Sequence, residues 1–504
     1  MPYRLIKISF LILFIFCNTH LSAQIMNHYW STNFNSISSL LGGAVVAGMG
    51  DNTSIYYNPA TISQMESVNQ FSFTTSLFTW NTYSFKNMLG EGIDLKSDNF
   101  IAQPPFISYS YKPENSNLSL SAVVLTRIKE DFEVVWNNST YYDVLTNLPG
   151  DEKYNTSFRY RNYYVDTWVG AALAHQVTPR LSYGISLFAS GASFRYFFEY
   201  STSAYSVNDT LDPYIYPQVQ RIAEGNYSES VRFTDYRIIL KFGLAYQINT
   251  WKFGLNITTP SLHLFSSGEK ALRTRLVSNI SITNELFVPD FQIFSGQEKG
   301  QLSTKFKLPF AISFGLIKDI GNNNSRLYFT TEFYGRIKEY KLVDAQINDD
   351  IAPGFIYERL ENKDWLSFAM ATRSFMNIVI GYSWKLKREM EFYNSIRSDL
   401  SSIKNAEFDS YNNYNKLKTS NYNIYHYSAG LKFNIKRNSF IAGGQVSFGY
   451  NNSVKQVANF SDPIELNTED NLVLQGRIAD DMTVMYWGFN IYIGATLNFI
   501  KNDN

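Results

Sequence analysis

The 504-residue chain has a single cysteine, Cys17, and it lies in an apolar run near the N-terminus. Once that run is removed as a leader, disulfides, thiolate metal sites and cysteine nucleophiles are all excluded. Histidine is nearly as scarce. His20 leaves with the leader, while His28, His175, His263 and His426 fall on different predicted elements with no pair at metal-ligand spacing. They read as ordinary strand or surface histidines. A Gly-x-Ser-x-Gly elbow, a Walker loop and a dinucleotide fingerprint are missing too. Beyond residue 23 no apolar run approaches the roughly 20 residues that a membrane helix needs. A charge excess is also lacking. Basic and acidic residues number 44 each, and 42 against 44 remain once Arg4 and Lys7 go with the leader. That balance offers nucleic acid no basic face. The run Asn348-Asp349-Asp350 lacks the calcium-loop pattern and reads as a solvated loop tip. No enzymatic centre, metal or cofactor is expected.

What is present begins with an address. Arg4 and Lys7 precede an apolar stretch from Ile8 to Phe16, and Leu21-Ser22-Ala23 offers a cut before Gln24. This predicts a signal peptide over residues 1–23. Bulky Phe16 before Cys17 argues against a lipoprotein. Aromatic residues are abundant, with 36 Tyr and 39 Phe, which suits the interfacial girdles of a membrane barrel. The mean hydropathy of -0.21 fits such a barrel, because strands with one face to lipid and one to water average out.

The period of two runs through most of the chain. Trp487, Phe489, Ile491, Ile493, Ala495, Leu497 and Phe499 alternate with Gly488, Asn490, Tyr492, Gly494, Thr496 and Asn498. Strands are predicted at 67–88, 100–112, 118–136, 157–177, 181–200, 229–248, 251–266, 301–318, 326–340, 363–373, 376–390, 422–436, 439–452 and 483–500. That makes 14, an even number. A soluble sandwich also alternates, so the connections decide. Short turns at 113–117, 178–180, 249–250, 319–325, around Arg373 and at 437–438 intercalate with long polar connections at 89–99, 137–156, 201–228, 267–300, 341–362, 391–421 and 453–482. Short periplasmic turns and long outer loops give that rhythm. In lipid each unpaired backbone group costs several kcal/mol, so the strands must close on themselves. The fold class is all-β, a 14-stranded antiparallel transmembrane barrel over 67–504 with both mature termini periplasmic.

One stretch before the strands fits neither helix nor membrane strand: Gly42-Gly43-Ala44-Val45-Val46-Ala47-Gly48-Met49-Gly50-Asp51-Asn52-Thr53-Ser54-Ile55-Tyr56-Tyr57-Asn58-Pro59-Ala60. Its glycines permit sharp turns and close backbone approach, and Asn58-Pro59-Ala60 ends it in a fixed turn. Behind a leader and ahead of a barrel, 24–66 occupies the place of a plug. The Gly-Gly-Ala, Asp-Asn-Thr-Ser and Asn-Pro-Ala elements resemble the N-terminal hatch of FadL-type outer-membrane transporters. Gly254-Leu255-Asn256-Ile257-Thr258-Thr259-Pro260-Ser261, and Leu308-Pro309-Phe310 leading to Gly315, are similar to further family positions.

The resemblance implies passive uptake of long-chain fatty acids or, as in the TodX-like members, of aromatic hydrocarbons. It also implies a hatch whose N-terminal part, here 24–35, moves to release the ligand sideways through the wall. Hatch residues are then Gly42, Gly43, Gly48, Gly50, Asp51, Asn58, Pro59 and Ala60. The partners are a hydrophobic small molecule and outer-membrane lipid with lipopolysaccharide. In the family an inward kink of the third strand opens the wall. Here that strand has neither Gly nor Pro, but it loses alternation at 126–131, which makes Arg127, Lys129, Glu130 and Asp131 the candidate opening. Some FadL-like barrels act as shuttles in type IX protein secretion, so export is the alternative. A barrel hydrolase is the third reading, with no serine tied to a histidine.

Overall fold

The computed structural model describes residues 28–30, 34, 36–48, 51–65, 69–101, 106–145, 150–206, 221–281, 290–298, 302–321, 325–344, 368–387, 389–404, 422–467 and 472–499. The expected leader and Gly50 lie outside them. Fourteen strands form an antiparallel barrel: β1 (Asn69–Lys86), β2 (Leu95–Ile101 with Phe106–Tyr111), β3 (Leu118–Tyr142), β4 (Glu152–Thr178), β5 (Leu181–Ser206), β6 (Arg221–Ile248), β7 (Trp251–Thr258 with Leu262–Ser281), β8 (Ser303–Thr304 with Ala311–Ile320), β9 (Ser325–Tyr334 with Ile337–Asp344), β10 (Phe368–Thr372 with Phe375–Lys387), β11 (Met390–Asp399 with Ile403–Lys404), β12 (Asn423–Ile435), β13 (Asn438–Val454) and β14 (Met482–Phe499). β1 and β14 pair from Asn69 opposite Phe499 to Lys86 opposite Thr483, which closes the cylinder.

The alternation seen in the sequence is the division between outside and inside. On β5 Tyr183, Ile185 and Leu187 are exposed outwards, whereas Ser182, Ser186 and Phe188 are buried inwards. Phe242, Leu244 and Tyr246 on β6 and Trp487, Phe489 and Ile493 on β14 continue the apolar belt. A belt of that extent facing outwards is a lipid face. β3 to β6 run to 25, 27, 26 and 28 residues. At about 3.3 Å per residue they exceed the membrane and stand above it as a wall.

Five consecutive strands break at one level. β7 is interrupted at 259–261, β8 at 305–310, β9 at 335–336, β10 at 373–374 and β11 at 400–402. Pro260 and Pro309, which have no N–H to give a ladder, sit in two of these breaks. Above the break the upper parts of β8, β9, β10 and β11 pair as a separate four-stranded sheet. Single bonds stitch across it, such as Ser261 N–H to the Leu308 carbonyl and Arg373 N–H to that of Ser402.

The strand count agrees with the expectation, but strands extend into the stretches expected as connections at 89–99, 137–156, 201–228 and 267–300, where they rise beyond the apolar band and lose its rhythm. Two strands are also drawn wrongly. The interruption at Arg373 is a break within β10 and not a turn, so the described parts of the two strands expected at 363–373 and 376–390, Phe368–Thr372 and Phe375–Lys387, belong to one strand. β11 falls inside the stretch expected as a long loop, 391–421. Its inward side chains, Ser395, Arg397 and Asp399, are polar. That breaks the apolar rhythm without breaking the strand, and the two errors cancel in the count.

Leu187→Arg, with an outward side chain in the middle of the apolar band, should cost about 2–4 kcal/mol in urea unfolding from liposomes. An arginine is native eight residues further along the same face, at Arg195, where the cost has faded.

Candidate functional site

Residues 36–65 run along the inner face of the wall at the short-turn end, on a seat of glycines. Gly184 and Gly243 are direct partners on β5 and β6, and Gly254 and Gly315 on β8's ladder with β7. A Cβ on Gly184 would stand 2.6 Å from the Pro59 carbonyl carbon, and one on Gly254 2.7 Å from Ala47 Cα. On Gly243 it would stand 2.8 Å from the Ala60 nitrogen. Only glycine lets backbone meet wall this closely. A third pair, Gly430 and Gly443 on β12 and β13, takes the tip of Leu40.

Asn58 is the pin. Fully buried, its Nδ2 donates to the Val46 carbonyl at 2.7 Å and to the Leu244 carbonyl of β6 at 3.0 Å. Its Oδ1 accepts from Ala60 N–H at 3.1 Å and so caps the short turn of 3-10 helix from Pro59 to Gln64. Gly42, Gly43 and Gly48 have φ of 58°, 88° and 106°, so each turns the chain through left-handed geometry. Asp51 Oδ1 accepts from Thr53 N–H and Oγ1 at 3.0 and 2.6 Å, and Asn52 Nδ2 reaches the Gln70 carbonyl of β1 at 3.2 Å. Ser186 of β5 and Ser395 of β11 donate to the carbonyls of Ile55 and Leu40.

Residues 28–30 lie further up the lumen. Asp399 Oδ1 of β11 accepts the N–H groups of Tyr29 and Trp30, both at 3.2 Å, and Trp30 Nε1 donates to Glu332 of β9. Burial pushes His28 below the ordinary imidazole value, so its ring is neutral. Nε2, at 2.7 Å from the Tyr422 carbonyl, therefore carries the proton.

A tier of buried charge crosses the lumen beside this segment. Asp166 of β4 accepts from Arg237 of β6 at 3.0 Å and faces Arg127 of β3 at 3.5 Å. Arg237 also faces Asp235 at 3.4 Å, which meets His263 at 2.9 Å. Arg127 lies over the rings of Tyr29 and Trp168, and Lys241 lies 4.1 Å from the centre of the Tyr56 ring. Pairing and hydrogen bonds are what make such charges tolerable away from water. The sequence analysis missed this tier. Its signal is a charged residue at an inward position of an otherwise regular strand, as at Asp166, Asp235 and Arg237.

Just below the tier, towards the short turns, Tyr56 meets Trp168 at 5.7 Å and Trp168 meets Phe188 at 5.1 Å between ring centres, and above the tier the inward face of β3 to β6 is again aromatic. Phe132 with Tyr160, Phe158 with Phe198 and Tyr200 with Tyr227 carry the column to the outer end. There the connection between β13 and β14 folds across the mouth. Phe460 stacks on Trp136 at 5.7 Å, Tyr154 Oη donates to the Leu474 carbonyl at 2.8 Å, and Phe460 N–H donates to the Leu89 carbonyl. Nothing in the polar composition of 453–482 announces this.

The third strand behaves unusually where its alternation fails. Its register against β4 shifts between Thr126 and Ile128, a bulge at Arg127. Arg127 points into the lumen, while Lys129 and Asp131 lie two and four residues beyond with Glu130 between them. The ladder from β3 to β2 ends at Val124 opposite Ile107. Beyond it, among the described residues, Asn99 Nδ2 donates to the Asp131 carbonyl. Pairing to β4 on the other side is continuous to Tyr142. Of the histidines, His426 lies 2.7 Å from Ser447 Oγ, but the pair is inward and shares its bonds with Gln445.

No protein-family profile and no curated protein sequence matches the chain. Solved structures do. The Ralstonia pickettii toluene transporter TbuX superposes with a TM-score of 0.52 at 12% identity, over 93% of this chain and 99% of that one. The Pseudomonas putida toluene transporter TodX gives 0.53 at 13%, over 94% and 100%. A Pseudomonas aeruginosa FadL homologue gives 0.51 at 11%, over 94% and 100%. The fold is therefore that of the FadL-type outer-membrane channels, a closed 14-stranded barrel.

Asn58→Asp removes two donors and turns a carboxylate on two carbonyls, a loss of about 1–3 kcal/mol or more. Hydrogen exchange in residues 54–65 should rise about tenfold or more while the β1–β14 seam stays protected. Gly184→Ala should do the same through steric clash.

Proposed function

We propose that the protein carries hydrophobic small molecules, long-chain fatty acids or monoaromatic hydrocarbons, passively across the outer membrane. The observation that supports this best is the aromatic lining of β3 to β6 inside a closed barrel, with rings from the mouth down to the charged tier and again below it, where Trp168 meets Tyr56. Each buried CH₂ is worth about 0.8 kcal/mol, so a long acyl chain gains on the order of 10 kcal/mol from such a lining. Water-filled pores give it nothing. TbuX and TodX, which share the fold, are named as toluene transporters, which supports the same class of cargo.

In this reading 24–66 is a hatch, the short-turn end and both termini face the periplasm, and the barrel needs no cofactor and catalyses no reaction. Gly42, Gly43, Gly48, Gly50, Asp51, Asn58, Pro59 and Ala60 hold the hatch on the wall. Its upper part, tied at Asp399 and Glu332, moves to pass the ligand on. The ligand then leaves between β2 and β3, where Arg127, Lys129, Glu130 and Asp131 mark the interrupted ladder.

Cells lacking the gene should lose uptake of radiolabelled oleate or toluene and regain it on complementation. Trp168→Ala with Phe188→Ala should lower the rate about tenfold or more, since it removes the two rings that meet the N-terminal segment at Tyr56. Normal uptake with lost secretion of surface proteins would overturn the transport reading in favour of export. Replacing 127–131 by a regular alternating strand should end uptake, and unchanged uptake rules out the exit at β2–β3.

A further inference from the structure

The outer surface of the wall carries a second site, unconnected with the lumen. Arg159 and Arg161 on β4, Arg195 on β5 and Arg232 on β6 line one recess of about 270 Å³, with Phe197 at its side and Glu269 as its single acid. Arg195 and Arg232 are direct cross-strand partners. Like charges placed opposite each other repel, and nothing in the fold requires them there.

The neighbours orient three of the four. Glu133 holds Arg159 at 2.7 Å, Asp131 holds Arg161 at 3.6 Å, and Glu269 holds Arg232 at 3.2 Å. Arg195, between them, has no carboxylate among the described residues and lies only over the Tyr163 ring at 5.9 Å. Glu199, which pairs across to Arg159, belongs to an adjoining recess with Arg273 and Arg275. The recess is thus a fork of guanidiniums with one member free, suited to bidentate bonds with phosphate oxygens.

Its height identifies the phosphate's owner. Below Arg195 every outward residue of β5 down to Leu181 is uncharged, and so is every outward residue of β6 below Arg232. The 14 residue steps from Leu181 to Arg195, at about 3.3 Å each on a strand tilted by about 40°, climb roughly 35 Å. That is the hydrocarbon core plus one interface. An anion in the recess therefore sits at the headgroup level of the leaflet nearest the long connections, and its acyl chains would descend over Val165 and Val169 on β4.

We propose that this recess binds a phosphorylated glycolipid of the outer leaflet, with lipid A phosphates on Arg195 and Arg232. Free Arg195, with the remaining N–H groups of its cross-strand partner Arg232 and of Arg161 on the next tier, offers donors to more than the single phosphodiester of a glycerophospholipid. This rests on the orientation proposed above, with the short turns periplasmic, but not on transport.

The full chain and its Arg195→Glu/Arg232→Glu variant, each reconstituted with diphosphoryl lipid A or with phosphatidylglycerol, are stripped with mild detergent, and retained lipid is counted by native mass spectrometry. The wild type should retain about tenfold more diphosphoryl lipid A than the variant, the loss of one or two charge-assisted bonds, and little phosphatidylglycerol. Equal retention by both proteins overturns the site, and phosphatidylglycerol held as well as lipid A overturns the glycolipid assignment. Heat-modifiable gel migration verifies the variant's fold, and the exposed single change Arg195→Ala, expected to lower retention in the same direction, serves if it fails. Uptake of oleate or toluene should be unchanged in the variant, which separates failure of this site from failure of transport.

Discussion

The constraint on which the rest depends is the contact between bare backbone and bare backbone at the foot of the barrel. A segment as wide as 36–65 fits inside 14 strands only where the wall has no side chains to oppose it. Gly184 with Gly243, Gly254 with Gly315, and Gly430 with Gly443 supply that clearance as cross-strand pairs, each within a few residues of a short turn. The closeness makes Asn58 possible: one amide can reach carbonyls on both the segment and β6 only because no Cβ holds them apart. Position in the barrel, rather than local propensity, therefore fixes an otherwise irregular stretch.

Above that seat the lumen changes character in steps. Small hydroxyl residues such as Ser182 and Ser186 line the foot, the paired charges around Asp166 form the middle, and rings fill the outer half. The middle tier is costly unless each charge is met, and its members are shared so that Asp166 serves two arginines. Because Arg127 is both the bulged residue of β3 and a contact of Tyr29, the wall's irregular strand and the N-terminal segment are physically in touch. A shift in one is felt by the other.

Much of this was legible in the sequence, for a definite reason. A wall between lipid and lumen imposes a period of two that survives variation in individual residues, so the barrel class and most of its strands could be read from Phe, Tyr and Leu spacing alone, while the count of 14 came right through two errors that cancel. Where inward residues turn polar, as at Ser395, Arg397 and Asp399, the rhythm fades and β11 was hidden. Gly254 and Gly315 stood out in the sequence, but their partnership depends on register between strands, which no local pattern encodes. The aromatic column was legible only as alternating sets, because which rings meet depends on the shear of the closed cylinder. Folding of the β13–β14 connection onto Tyr154 and Trp136 depends on long-range contacts and left no trace in its composition.

The seam has a consequence for assembly. β1 follows directly on the seated segment, yet its partner β14 is the fourteenth strand, so the cylinder cannot shut until all the strands between them are in place. The glycines that receive the segment lie on strands from both halves of the chain. Zipping of β1 to β14 is therefore the late, slow step expected of so non-local a pairing. Whatever is to be enclosed must already be in position when it happens.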